Sequence, residues 1–161
     1  MNATLRLFGI ALPCALLLTP PGSAQVMQLT GSRLARLAEV AWQEGEAKPL
    51  PVATAEAFGY GTERLTYRVL TLKTSEADRH EVLVIALGDG THLLHLARRL
   101  PNDIWMISTS LSGEYTRGVH RTYPKGPLIQ MEAPEGQQVL DREAAFWLEW
   151  LGRYASHGHG G

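Results

Sequence analysis

Apolar positions recur at helical spacing in one early stretch of the chain. Leu34, Leu37, Ala38, Ala41 and Trp42 stand at i, i+3, i+4, i+7 and i+8, the stripe of an amphipathic helix. Thr30 or Ser32 can cap it, and Gly45 and Pro49 close it. Residues 45–62 hold two prolines and three glycines and read as a long surface connection. Residues 65–73 are rich in β-branched and aromatic side chains and predict a strand. Residues 82–87, VLVIAL, are continuously apolar, as in a central strand covered on both faces. The segment 91-THLLHLARRL-100 alternates poorly. As a helix it sets Leu93, Leu96, Ala97 and Leu100 on one side and His92, His95 and Arg99 on the other, with Thr91 as cap and Pro101 as stop. A helix is therefore predicted, the alternative being a hairpin turning at Asp89-Gly90. With a strand at residues 104–111, this predicts a right-handed βαβ unit with parallel strands. Residues 115–123 predict a returning strand and 128–131 a short further one. Pro134 and Gly136 end that segment, and Asp141 opens a last helix that buries Ala144, Trp147, Leu148 and Leu151. The sum is an α+β domain: a mixed sheet of four to five strands packed by two or three helices.

The first residues change the picture of where the protein works. Residues 1–6 carry one charge, Arg6; residues 7–18 are almost wholly apolar; Gly22-Ser23-Ala24 follows two prolines. That order is expected of a secretory signal peptide spanning residues 1–24, and the apolar run is short for a membrane span. A single globular domain at 25–152 and a flexible glycine- and histidine-rich tail at 153–161 are expected to follow. The expected location is periplasmic or secreted. Cys14 lies inside the apolar run, so the mature chain has no cysteine, which excludes disulfides and thiolate chemistry. Without residues 1–24 the charge is 14 − 16 = −2 with histidine neutral. No basic stripe predicts a nucleic-acid partner, and no second apolar run predicts a membrane span. The expected partner is another exported protein.

Candidate chemistry is sparse. His92 and His95 would share a helical face, but Arg98 and Arg99 sit beside them and no carboxylate completes a ligand set. His157 and His159 lie in the tail, too loose for a strong metal site. Gly88-Asp89-Gly90-Thr91 has the place of a phosphate-cradling turn without its motif. No metal and no cofactor is expected. Catalysis by a serine hydrolase would draw on a serine of 108–112 (Ser108, Ser110 or Ser112), with His120 as base and Asp89 or Asp103 as orienting group. No G-x-S-x-G elbow supports it, so small size and missing motifs favour binding over catalysis.

The segment 108-STSLSGEYTRGVHRTYPKG-126 is the most suggestive. Ser110, Ser112, Gly113 and Tyr115 are followed by Tyr123, Lys125 and Gly126. This resembles the loops of the periplasmic lysozyme inhibitors, in which an S-x-S-G-x(x)-Y segment and a later aromatic-x-x-K-G segment sit side by side. The resemblance implies that a serine and a lysine or tyrosine are offered to a glycosidase's two catalytic carboxylates. A hydroxyl and an ammonium can hold that pair by charge-assisted hydrogen bonds. It covers about an eighth of the chain beyond residue 24, and the family is mostly β and often disulfide-bonded. The expected function is thus an exported binding protein without catalysis, inhibiting a cell-wall glycosidase through residues 110–126.

Overall fold

The computed structural model describes residues 23–60, 65–87, 92–122 and 126–157. The elements run α1 (Ser23–Glu44), β1 (Glu46–Pro49), α2 (Val52–Ala57), β2 (Thr66–Lys73), β3 (Arg79–Ala86), β4 (His92–Arg99), β5 (Asp103–Thr109), β6 (Tyr115–Thr122), β7 (Ile129–Gln130) and α3 (Ala133–Ser156). The strands form one seven-stranded sheet in sequence order, and every neighbouring pair is antiparallel. The protein is an α+β mix as expected, but the mixed four- to five-stranded sheet is overturned, and with it the parallel βαβ unit.

The decisive segment is residues 92–99, which is strand β4 and not a helix. It pairs with β3 from Ala86↔His92 to Arg79↔Arg99. Its poor alternation has a physical cause: both faces of the sheet are covered here. Leu94 and Leu96 face α1 and α3, while His95 and Ala97 face the other way, and all four are buried. A strand covered twice loses the polar half of its period.

The first face of the sheet carries Val82, Val84, Leu94, Leu96 and Ile107 against Leu34, Leu37 and Ala41 of α1 and Leu140, Trp147 and Leu151 of α3. This is the main core. A polar chain crosses its edge. Arg98 grips Asp78 with two hydrogen bonds, of 2.9 and 2.7 Å. His80 lies 3.7 Å from Asp78 and 2.7 Å from the buried Glu143, whose Oε1 also accepts from Trp147 Nε1–H at 3.0 Å.

Other boundaries also moved. Residues 45–62 are not a bare connection but hold β1 and α2, elements too short to show a period. The last helix starts at Ala133, with Pro134 in its first turn, where a missing N–H is harmless. It continues to Ser156, into the segment read as tail. Residues 1–22, the core of the expected signal peptide, and Gly88-Asp89-Gly90-Thr91 lie outside the described residues. No helix among the described residues is long and apolar enough to cross a membrane.

Candidate functional site

The second face of the sheet is covered unequally. Val69, Leu83, His95, Ala97, Met106, Ser108 and Val119 alternate onto it by register. Among the described residues, only the short α2 lies over it. The chain reaches α2 through buried Leu50, whose backbone N–H donates to Leu65 O at 2.9 Å. Ala55 and Phe58 turn inward. Phe58 meets the His95 ring edge-on at 4.7 Å, and the Tyr60 hydroxyl lies 2.7 Å from His95 Nε2. Ser108 lies near the Tyr60 phenol. Burial raises the Tyr60 phenol to about 12, against the opposing pull of Ser108 and Arg117. Burial alone depresses His95 to about 3, so at neutral pH this latch is a neutral imidazole against a neutral phenol.

Beside the latch, α2 and the sheet leave a cleft of about 260 Å³. Leu83, Ala97, Met106 and Val119 line its sheet side; Leu50 and Phe58 line it from the α2 segment. Its charged lining is Glu81, Arg99 and Arg121. Among the described residues, its hydroxyls come from Thr54 and Tyr67 alone, and no serine, cysteine, lysine or histidine lines it. Burial raises the Tyr67 phenol further from neutrality. Such a cleft can hold an apolar body and fix its polar end; it offers no nucleophile paired with a base. A second depression of about 280 Å³, between α1 and the sheet near His92 and Leu111, has Glu39 as its one charged group.

The residues singled out from sequence fall in several places. Ser110 and Ser112 share a hydrogen bond of 2.7 Å in the exposed β5–β6 turn, which Gly113 closes at φ 89°, a conformation open to glycine. Tyr115 is engaged in the fold: its hydroxyl donates to Met131 O at 2.8 Å, and its ring packs against Gly118 and Gly136. Gly126 sits at the other end of β6, donating to Thr122 O at 2.8 Å. Tyr123 and Lys125 lie outside the described residues, as does Asp89. Seven strand steps from Tyr115 to Thr122 span about 23 Å, so Ser112 and Gly126 are not side by side. The alternative catalytic set is not assembled either. Ser108 pairs with Arg117 and Trp105 with His120, an odd offset that puts Ser108 and His120 on opposite faces. Ser110 and Ser112 lie beyond the far end of β6 from His120. His92 and His95 are likewise on opposite faces of β4.

Sequence reasoning passed over Tyr60, Arg121 and the whole α2 segment. Their signal was available only in part: Pro51 before an alanine-rich hexamer marks a helix start, but nothing local says what it covers.

One prediction follows from the packing of Tyr115. A Cβ on Gly136 would overlap the Tyr115 ring. Alanine in a helix gains about 1 kcal/mol over glycine, whereas overpacking costs about 1–3 kcal/mol. Gly136→Ala is therefore expected to lower stability by up to about 2 kcal/mol in denaturant unfolding. An unchanged or raised midpoint would show that the ring moves aside freely.

No protein family, no curated protein and no solved structure matches this chain.

Proposed function

We propose that this is an exported binding protein without catalysis, and that its site is the cleft between α2 and the second sheet face. The observation that carries this reading is the unequal cover of the sheet. One face is sealed by two long helices, while the other keeps an apolar hollow of about 260 Å³ with charge at its rim. That volume lies just under the roughly 300–1,000 Å³ of ordinary small-molecule sites, so the ligand class is a small, largely apolar molecule. The wide spacing of Ser112 and Gly126 favours this over inhibition of a glycosidase through residues 110–126. The opposite facing of Ser108 and His120 favours it over serine hydrolysis.

The test is a titration of the protein with octan-1-ol, followed by NMR. Amide and methyl shifts are expected at Leu83, Ala97, Met106 and Val119 and not around the β5–β6 turn. Ala53 lines the cleft and is exposed, so Ala53→Trp should block the site without disturbing the core. Absence of shifts in these residues up to the solubility of the alcohol, or shifts that survive Ala53→Trp, would defeat the proposal.

A further inference from the structure

The cationic end of the cleft has an arrangement that folding alone does not explain. Register places Arg79 directly opposite Arg99, and Ile104 between Arg99 and Arg121, all on the second face. Like charges directly opposite each other destabilise a sheet. Arg98, on the first face, is held by Asp78 in a two-bond grip. Arg121 has no such partner: among the described residues no carboxylate pairs with it, and its Nε is shielded from solvent without a hydrogen-bond acceptor. The Arg121 side chain lines the cleft, so its charge, with no carboxylate set against it, is placed to meet an anion bound there.

The charge of the lining narrows the class of anion. Arg99 and Arg121 contribute +2 and Glu81 contributes −1, giving +1. A monoanion balances that; a phosphate dianion would leave an excess of negative charge. Guanidinium groups also match the two oxygens of a carboxylate in a planar fork.

Resting on the binding-cleft reading above, we propose that the ligand is an amphipathic monocarboxylate. Its apolar body lies on Ala97, Met106 and Val119. Its carboxylate accepts from Arg121, with Arg99 alongside.

The experiment compares octanoate, octan-1-ol and octyl phosphate by calorimetric titration of the full chain near neutral pH. Octanoate is expected to bind about tenfold or more tightly than octan-1-ol, the usual worth of a hydrogen bond to a charged group. Arg121→Gln is expected to erase that advantage, and Arg121→Lys to keep part of it. Equal affinity for octanoate and octan-1-ol overturns the carboxylate assignment, as does an advantage that survives Arg121→Gln. Tighter binding of octyl phosphate overturns the monoanion. Binding of octan-1-ol alone leaves the cleft reading standing while sinking this one; binding of neither compound sinks both.

Discussion

Lowering the pH from 7 to 4 is expected to remove about 3 kcal/mol of folding stability through His95 alone. His95 is fully buried and its pKa is depressed to about 3 because burial penalises the imidazolium. In the unfolded chain the same group takes up a proton near 6.5. Between those values the unfolded state binds a proton that the folded state refuses. Stability is therefore complete above about 6.5 and falls as the pH drops, by about 1.4 kcal/mol per unit. Glu143 has the opposite sign. Its pKa is raised, first by burial, so its contribution is fullest below 4.5 and is lost as the pH rises through its folded value. Asp78 is depressed, chiefly by the hydrogen bonds from Arg98, so its contribution is lost only as the pH falls below 3.8. Comparison with His95→Leu isolates the imidazole. Denaturant unfolding at pH 7, 5 and 4 should show the parent losing stability steeply and the variant losing about 3 kcal/mol less. Parallel profiles would mean that His95 is solvated or protonated in the folded state. Hydrogen exchange in α2 should quicken first, because Tyr60 and Phe58 hold that segment through His95.

The unequal cover of the sheet links stability to the proposed site. The first face is closed by α1 and α3, which together supply a continuous apolar layer. On the second face, α2 has six residues and buries one alanine. It cannot fill the width of seven strands, and what it leaves open is the cleft. A helix this short has little stability of its own, so it is held by neighbours: Leu50 and Tyr60 before and after it, and His95 beneath. The site wall is thus among the more easily opened parts of the fold, where binding elements are commonly drawn from.

The same asymmetry decides what was legible in the sequence. The helix through Leu34, Leu37, Ala38 and Ala41 faces one core and water, so its period survives; it holds the predicted stripe but begins at Ser23, ahead of the expected caps Thr30 and Ser32. The strands at 66–73 and 115–122 lie within the predicted segments. Residues 92–99 misled because their two faces are both buried, which leaves no contrast for a period of two. Pro134 and Gly136 misled because each carries a local signal of termination that tertiary contact overrides: the proline opens the helix, and the glycine admits the Tyr115 ring. The candidate site was the least legible part. Ser110, Ser112 and Gly113 attract notice because turns concentrate polar residues, and they form a turn. Arg121 and Arg99 are separated by 21 intervening residues in the sequence and meet only because a meander folds β4, β5 and β6 side by side.

Loss of either member of the His80–Glu143 pair is expected to be among the costliest single changes to the fold. Both side chains are buried, 2.7 Å apart, and Phe146 stacks on the His80 ring at 3.8 Å. His80→Leu would leave a buried carboxylate with only Trp147 Nε1–H bonded to it. Glu143→Leu would leave that indole N–H and His80 Nδ1 without their acceptor. Removing one partner of a buried pair typically costs about 3–5 kcal/mol, while replacing both by apolar groups is often close to neutral. Each single variant is expected to lose about 3–5 kcal/mol in urea or guanidinium unfolding, and His80→Leu/Glu143→Leu to lose less than His80→Leu alone. The double variant removes both desolvated groups and extends the apolar layer against Phe146. Only Trp147 N–H is then left wanting an acceptor. A double variant as unstable as the sum of the singles would show that the two groups act independently, held by Asp78 on one side and Trp147 on the other. A double variant near the parent would show that the pair costs the fold nearly as much as it returns. Its place would then be to set the angle of α3 on the sheet.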